Sequence, residues 1–400
     1  MNILFISSLY PSQPKGSGEE ITTALHHMTR YWNKTENILV IRPVYVYLRE
    51  LFRKTTNHKR ELFRQRLLEL DGVKIIVFPI LKIPKIAYFY YPLYRFLDSY
   101  SKTHSFSPDI IVAHYNKSLE IGYQYSQRHQ LPLVVGIHAA PDVSDTNPTP
   151  FTKRCGKILD AATRIACRSD YIYKKIGAWF PDCLSKRFVA FSGIDEHIIA
   201  EKNLALTKLN RWKTAKPQGK ISIITVCGLI AVKNVDTNLI ALSQLPRALD
   251  WHYTIIGDGP ERTRLETLAL SLGINQHVSF IGNVHHQQVL DSLLQSDIFM
   301  MVSRLESFGL VYLEAMACGN IVIGSYGEGI DGIIQHGQNG FLSPAGEAEP
   351  LALLLHEIME RMDPQTLAAL LQHSYLTIQS YTHQHAAQNY LQHLKEIVPS

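Results

Sequence analysis

The sequence has no apolar run near the roughly 20 residues that a helix needs to cross a bilayer. Cysteine is scarce, and its spacing fits neither a metal site nor a redox motif. The odd number of cysteines, scattered inside apolar runs, predicts reduced thiols in a cytoplasmic protein. The first residues, "MNILFISSLYPS", are apolar, carry no basic leader and stop at Pro11, so we expect a first strand there and no signal peptide. The five cysteines are Cys155, Cys167, Cys183, Cys227 and Cys318.

Motifs for metal binding are also missing. No Asp-x-Asp motif occurs, and the paired histidines at 26–27, 285–286 and 383/385 are adjacent or two residues apart. Side chains at such spacings do not share a helix face. The sequence therefore predicts no metal site.

Acidic residues are under-represented in the first half of the chain. Residues 1–200 hold 27 Lys/Arg against 17 Asp/Glu, whereas residues 201–400 hold 13 against 18. The basic excess is densest at 42–66 and is followed by the aromatic cluster 87–94. A basic segment that carries aromatic residues suits an anionic membrane surface, and a solvated helical face is the alternative. Nucleic acid is disfavoured, because the basic residues form one patch without a binding motif.

Short apolar runs recur along the chain, separated by longer stretches that are compatible with helices. Because these runs are apolar throughout, they indicate strands of parallel sheets covered on both faces. Their alternation with helices, twice over, predicts two doubly wound α/β domains. The runs are 2–7, 37–41, 73–78, 109–114, 133–138, 164–169 and 187–191, then 221–226, 252–257, 277–282, 297–302 and 320–325.

The polar, basic stretch 201–220 closes with Pro and Gly and predicts a linker. We therefore expect an amino-terminal domain at 1–200 and a carboxyl-terminal domain at 221–379. The tail shows two helical stretches, 351–362 and 383–398. We expect the last helix, about 380–400, to pack back on the first domain.

The segment "VSRLESFGLVYLEAMACG" (302–319) places a carboxylate, Glu314, inside an otherwise apolar helix, and a second one, Glu306, in the loop before it. A helix start with Gly309 exposes backbone N–H groups and the positive end of the helix dipole, which favours phosphate. A buried carboxylate needs hydrogen-bond donors. The two hydroxyls of a ribose would supply them to Glu314, and a neighbouring backbone group or arginine is the alternative.

Two further strand ends carry candidate ligand groups. Lys233 follows the strand at 221–226 and would place a positive charge beside a diphosphate, although a surface lysine is the alternative. The segment 254–266 has only two of the three glycines of a dinucleotide fingerprint, with Arg262 in the third place, so we interpret it as a tight connection. All these segments lie at carboxyl ends of predicted strands, where open α/β sheets bind ligands.

Taken in order, "VCGLIAVKNVD", "IIGDGPERTRLE", "VSFIGNV", "SRLESFGLVYLEAMACG" and "GEGIDGIIQHGQNGFL" resemble the donor domain of retaining nucleotide-sugar glycosyltransferases of family GT4. The match covers nearly all of 221–345, and the first half matches more loosely through "SSLYPSQPKGSGEE", "GIHAAPD" and "FSGID". The resemblance implies the GT-B fold, with two doubly wound Rossmann-like domains facing across a cleft. It also implies a nucleotide-sugar donor as substrate, no cofactor and no metal requirement.

The resemblance assigns roles to particular residues. Glu314 would bind the nucleotide ribose, Glu306 the transferred sugar, and Lys233 the diphosphate. The backbone at Phe308, Gly309 and Leu310 would hold the diphosphate and sugar. Gly16 and Gly18 would lie near the phosphate and acceptor, and His138 near the donor sugar and reaction centre, unless it is a strand-end histidine satisfied by backbone groups.

Two positions depart from the family pattern. Gly228 stands where an arginine usually pairs with the lysine on the diphosphate, so another cation, such as Arg304 or one from the first domain, would have to stabilise the leaving group. Ala139 follows His138 where glycine is common.

The sequence thus predicts a cytoplasmic glycosyltransferase, peripheral on the inner face of the membrane. It would move a sugar from a nucleotide-sugar donor, with retention, to a lipid-linked glycan acceptor in bacterial cell-surface polysaccharide synthesis. The alternatives are a GT-B nucleotide-sugar epimerase or hydrolase, and a catalytically weak scaffold subunit of a glycan-assembly complex.

Overall fold

A computed structural model describes residues 1–11, 23–47, 64–82, 90–138, 150–200, 207–208 and 220–398. It divides the chain into two compact units. The first comprises Met1–Arg168, Ile172–Phe191 and His383–Ser400, and the second comprises Ser169–Tyr171 and Ser192–Thr382.

The strands are β1 (Asn2–Ser7), β2 (Asn37–Tyr47), β3 (Arg66–Leu70), β4 (Val73–Lys82), β5 (Ile110–His114), β6 (Leu133–Ile137), β7 (Arg164–Cys167), β8 (Arg187–Val189), β9 (Ile221–Val226), β10 (Trp251–Ile256), β11 (Val278–Gly282), β12 (Ile298–Met300), β13 (Ile321–Ser325) and β14 (Phe341–Ser343). The α-helices are α1 (Thr23–Trp32), α2 (Tyr91–His104), α3 (Asn116–His129), α4 (Pro150–Ala161), α5 (Asp170–Trp179), α6 (Glu196–Ala200), α7 (Val235–Ser243), α8 (Arg262–Ser271), α9 (His286–Gln295), α10 (Leu310–Ala317), α11 (Ala348–His356), α12 (Pro364–Ile378) and α13 (His383–Ile397).

The first unit is built on one sheet with the strand order β3-β4-β2-β1-β5-β6-β7-β8. All its pairings are parallel except the hairpin of β3 with β4. The strands β1, β5 and β6 are apolar along nearly their whole length and are buried except at Asn2, as expected for a parallel sheet covered on both faces. The order reverses between β1 and β5, which makes their carboxyl ends the switch point of this sheet.

The last helix, α13, belongs to this first unit. Tyr390 and Leu394 of α13 are buried in the same core cluster as Trp32 of α1. The Trp32 indole N–H donates to the Ala387 carbonyl at 2.7 Å, so the large ring is both buried and hydrogen-bonded.

The second unit is a fully parallel sheet with the strand order β11-β10-β9-β12-β13-β14. Its order reverses between β9 and β12. The backbone segments that follow β9 and β10 approach each other closely. A Cβ at Gly257 would lie 1.9 Å from the Cys227 carbonyl oxygen, and a Cβ at Gly259 would lie 2.4 Å from the Leu229 carbonyl oxygen. The glycines at 257 and 259 therefore allow these two backbone segments to pack together. Arg262, three residues after Gly259, binds the Phe280 carbonyl and Asp258.

The structure contains elements that the apolar-run pattern did not predict. The edge strand β3 is mostly exposed, the strand β14 has only three residues, and the helix α12 begins at Pro364 behind an Asp363 cap. The division between units falls after Phe191 and not at residue 200. The residues after Phe191 are held in the second unit, because the Ile194 amide donates to the Tyr381 carbonyl at 2.9 Å and Ile194 pairs with Thr382 in a β-bridge.

The basic segment 42–66 is only partly described. Residues 42–47 continue β2 and Arg66 begins β3, so the helical-face alternative is wrong for these residues, while 48–63 lie outside the described part. The predicted linker 201–220 is described only at 207, 208 and 220. None of the helices in the described ranges is long and apolar enough to cross a bilayer.

Candidate donor site

The centre of the site is an ion pair at the switch point of the second sheet. Lys233 follows β9, Glu306 follows β12, and the Lys233 Nζ lies 2.6 Å from the Glu306 Oε2. The loops that carry them are tied together, because the Asn234 side-chain amide donates to the Val302 carbonyl at 2.8 Å and the Arg304 amide donates to the Val232 carbonyl at 2.7 Å. The side chains of Lys233 and Glu306 are 21% and 12% exposed, so both charges stay within reach of a ligand.

The Glu306 loop is held by a residue that sequence reasoning did not assign. The Glu328 carboxylate accepts the Glu306 amide at 2.8 Å, and the Gly329 amide returns a bond to the Glu306 carbonyl at 2.8 Å. A Cβ at Gly329 would lie 2.3 Å from the Ser307 carbonyl carbon, so only glycine allows this approach. In the sequence, Glu328 and Gly329 belong to the "GEG" that opens the segment 327–342, one of the segments that carry the family resemblance.

The helix α10 begins directly behind this loop. Gly309 caps it with φ +80, and a Cβ there would lie 2.5 Å from the Tyr312 ring. The Phe308 amide points toward the Glu306 Oε1 at 3.5 Å. The amino end of α10, with the backbone of Phe308, Gly309 and Leu310, therefore lies beside the ion pair, where its dipole favours an anion.

The second glutamate has a partner within the protein. The Glu314 Oε1 lies 2.8 Å from the His286 Nε2, and the two side chains are 14% and 64% exposed. The hydrogen bond to Glu314 raises the pKa of His286 above its ordinary value, against the opposing effect of desolvation. The carboxylate inside the otherwise apolar helix α10 is thus paired with a histidine, a partner that the sequence did not indicate.

In the first unit, His138 lies in a chain of hydrogen bonds. The Arg168 guanidinium donates to its Nδ1 at 3.1 Å, and its Nε2 lies 2.7 Å from the Nδ1 of His114. The Nε2 of His114 in turn lies 3.0 Å from the Tyr390 hydroxyl. His138 is therefore satisfied by side chains and not by the backbone groups considered for it.

The chain of bonds fixes the positions of the protons. Arginine only donates, so the Nδ1 of His138 must accept and its Nε2 must carry the proton. His114 then accepts at Nδ1 and donates from Nε2 to the Tyr390 oxygen. Burial lowers the pKa of His138 well below its ordinary value and that of His114 to about 3, which keeps both rings neutral.

The remaining candidates are placed as follows. Gly16 and Gly18 lie outside the described residues. Gly228 is exposed, and a Cβ there would meet no atom within 4 Å. The Arg304 guanidinium lies against Gly346 and donates to the Ala345 carbonyl at 3.4 Å. No group of three or more His, Cys, Asp or Glu is arranged to hold a metal ion within the described ranges.

Residues 207–369 match the family model described as "Glycosyl transferases group 1". Over these residues, the second unit is similar to the group 1 glycosyltransferases. The matched residues include the Lys233–Glu306 pair, Glu328 and the Glu314–His286 pair, so the candidate site lies within the matched segment. His138 lies outside the match.

The first two curated relatives each match less than half of this chain. The N-acetyl-alpha-D-glucosaminyl L-malate synthase of Bacillus anthracis is 33% identical over 162 residues, 40% of this chain and 41% of the relative. The lipopolysaccharide core biosynthesis glycosyltransferase LpsE of Rhizobium meliloti is 30% identical over 151 residues, 38% of this chain and 43% of the relative. The chain thus spans less than half the length of either relative.

The solved structures match over the whole chain. Anabaena HepE in complex with UDP superimposes with a TM-score of 0.71 at 20% identity, covering 99% of this chain and 100% of that one. At this identity the likeness shows the fold alone. The fold of this chain is therefore GT-B.

Proposed function

We propose that the protein is a retaining, metal-independent GT4 glycosyltransferase, which transfers a sugar from a nucleotide-sugar donor to a lipid-linked glycan acceptor in bacterial cell-surface polysaccharide synthesis. The observation that carries the proposal is the Lys233–Glu306 pair beside the amino end of α10, at the switch point of the second sheet. Open α/β sheets bind ligands at such points.

The site supplies the electrostatics that this reaction needs. Transfer from a nucleotide donor develops negative charge on the leaving diphosphate and positive charge on the sugar. Lys233 and the first N–H groups of α10 would stabilise the diphosphate, and preorganised groups of this kind usually contribute most to catalysis. Glu306 would hold the sugar hydroxyls, and Glu314 the ribose.

Because the proposal gives no side chain the role of a nucleophile, retention requires that the acceptor attack from the face that the diphosphate leaves. The acceptor oxygen would bond to the anomeric carbon on the face from which the diphosphate leaves, and the acceptor proton would pass to the departing phosphate oxygen. Lys233 compensates the charge that accumulates there, so the proposal needs no metal ion. The anomeric configuration of the product, read from its proton NMR coupling, would check retention.

The donor site is tested by thermal shifts with UDP, GDP, ADP, CMP and their common sugar conjugates. UDP and UDP-glucose come first, because the HepE structures contain them. Ligand at about 100 times its Kd stabilises by about 2.7 kcal/mol, which a melting curve resolves. One nucleotide should raise the melting temperature, and Glu314→Ala should abolish the shift. A shift with none of them would favour the scaffold alternative.

The catalytic assignment needs a second assay. Slow hydrolysis of the donor by water reports the site without an acceptor, and it should fall strongly in Glu306→Ala and in Lys233→Ala. Hydrolysis that survives both changes would contradict the assignment of these residues.

The membrane part of the proposal rests on the first unit. Near the carboxyl ends of β2 and β4, the Lys82 Nζ lies 5.0 Å over the Tyr47 ring and the Lys117 Nζ lies 4.5 Å over the Tyr45 ring. On the neighbouring edge strand, Leu67 is 64% exposed. Cations beside aromatic and aliphatic groups suit an anionic lipid surface.

Sedimentation with vesicles tests this part separately. The protein should bind vesicles that contain an anionic phospholipid, bind purely zwitterionic vesicles less, and release with rising salt. Equal and weak binding to both would favour a soluble acceptor, or the epimerase and hydrolase alternatives, which need no membrane contact.

A further inference from the structure

His286 stands at the ligand edge of the second sheet for reasons of local structure. The strand β11 ends at Gly282, and α9 begins at His286 after a capping box formed by His285 and Gln288. Because His285 caps the helix, His286 is left as its first residue, with a side chain that is 64% exposed. His285 thus caps α9, whereas the His286 side chain contacts Glu314 of α10.

The partner of His286 lies where a nucleotide would extend from the diphosphate. Glu314 is the fifth residue of α10, which places it about 6 Å along the axis from the first residue, Leu310. That separation approximates the distance between a diphosphate at the helix end and the ribose that carries it. Among the described residues, the Glu314 carboxylate forms its side-chain hydrogen bond with His286.

The charges around His286 are acidic. Glu314 faces it from α10, and Asp195, in the segment before α6, also favours its protonated form. A carboxylate close to a diphosphate would repel it, unless a neighbouring positive charge offsets the repulsion. An exposed histidine beside a nearly buried glutamate meets that requirement.

We propose that His286 is a positioning residue of the donor site: its protonated ring holds one oxygen of Glu314, leaves the other oxygen for a ribose hydroxyl, and offsets the carboxylate charge near the diphosphate. This inference rests on the proposed nucleotide-sugar donor site. It adds a pH dependence to donor binding.

The sign of the dependence follows from linkage. The diphosphate adds negative charge near His286, so the complex binds the proton more tightly than the free protein does. Donor binding therefore takes up protons, and affinity falls as the pH rises above the ordinary histidine range. We expect the Kd to weaken about 3- to 10-fold between about pH 6.5 and pH 8.5.

The experiment measures the Kd of the full chain for the nucleotide sugar that the thermal panel selects, by calorimetry across this pH range. A nucleotide sugar is the right probe, because its diphosphate diester does not change charge there. His286→Asn keeps an N–H donor for Glu314 but cannot be protonated. It should weaken binding about tenfold at the acid end and remove most of the pH dependence.

The matched control is His285→Asn, which removes a histidine from the same turn and keeps a good helix cap. It should retain both the affinity and the pH dependence of the unaltered protein. The melting temperature of the ligand-free His286→Asn protein should change little, because exposed ion pairs contribute little to stability.

The outcomes separate this inference from the proposed function. If the unaltered protein and His286→Asn bind the nucleotide sugar with the same Kd and the same pH dependence, the role of His286 is overturned and the donor site stands. Failure of the unaltered protein to bind any nucleotide sugar overturns both.

Discussion

Gly228→Arg is expected to tighten nucleotide-sugar binding. Gly228 follows β9 by two residues and is exposed, and a Cβ there meets no atom within 4 Å, so a long side chain enters open space. The neighbouring residue lies close to the ion pair. Burial raises the pKa of Cys227 to about 12, while the charge of Lys233 lowers it and that of Glu306 raises it.

The size of the effect follows from the exposure of the site. Two unit charges about 4 Å apart contribute about 1 kcal/mol in water and about 4 kcal/mol near a protein surface of lower effective dielectric constant. Gly228 is exposed, so the lower figure applies, increased somewhat by the two hydrogen bonds that a guanidinium forms with a phosphate. We expect a gain of about 1.4 kcal/mol, which is about tenfold in Kd.

Calorimetry with the selected nucleotide sugar would measure this gain. Gly228→Gln adds a side chain of comparable reach without charge, and Gly228→Ala adds only the Cβ. Both should bind as the unaltered protein does, and the gain in Gly228→Arg should shrink at high salt. Equal affinity in Gly228→Arg and Gly228→Gln would refute the view that the site lacks a cation at this position.

Three further changes test the packing, titration and pairing of named groups. Gly309→Ala should lower the free energy of unfolding in urea by about 2–3 kcal/mol, because φ is +80 and a Cβ would lie 2.5 Å from an aromatic ring of α10. Gly337→Ala, with φ +76 and open space, should lose only about 1 kcal/mol, and equal losses would contradict the steric argument. Burial holds the pKa of His114 at about 3 in the folded protein, so the unfolded chain takes up the proton first as the pH falls. The free energy of unfolding should therefore decrease below about pH 6.5 by about 1.4 kcal/mol per pH unit for this residue. His114→Asn should remove that part of the slope in denaturation experiments, and an unchanged slope would contradict the argument. Lys233→Met should weaken donor binding about tenfold. A double-mutant cycle with Glu306→Gln, measured as the free energy of unfolding of the ligand-free protein, should show a coupling of about 1 kcal/mol between the two side chains. No coupling would mean that the ion pair does not persist in solution.

The elements of the fold were largely predictable, because the signals for them are local. Apolar runs without alternation indicated the buried parallel strands, and the glycine before "LVYLEAMA" indicated the start of α10. The exceptions have a physical explanation. The edge strand β3 keeps most of its side chains exposed and therefore carries no continuous apolar run, and β14 is too short to show one.

The candidate site was predictable only as a set of residue types at strand ends. Lys233, Glu306 and Glu314 stood out because charges at such positions are costly without a purpose. The residues that contact Glu306, Glu314 and His138 did not stand out. Glu328 and His286 are ordinary surface types in sequence, and His114 ends a strand whose other residues are apolar.

The sequence by itself determined the two α/β domains, the helix that presents its amino end, and the charges available there. The tertiary structure decided which of these charges meet. Lys233 reaches Glu306 across 73 positions, His286 reaches Glu314 across 28, and His114 reaches Tyr390 across 276. The reason is that propensity and hydrophobic period act over a few residues, whereas the strand order of each sheet sets which loops are neighbours, and that order arises only when all the strands pack together.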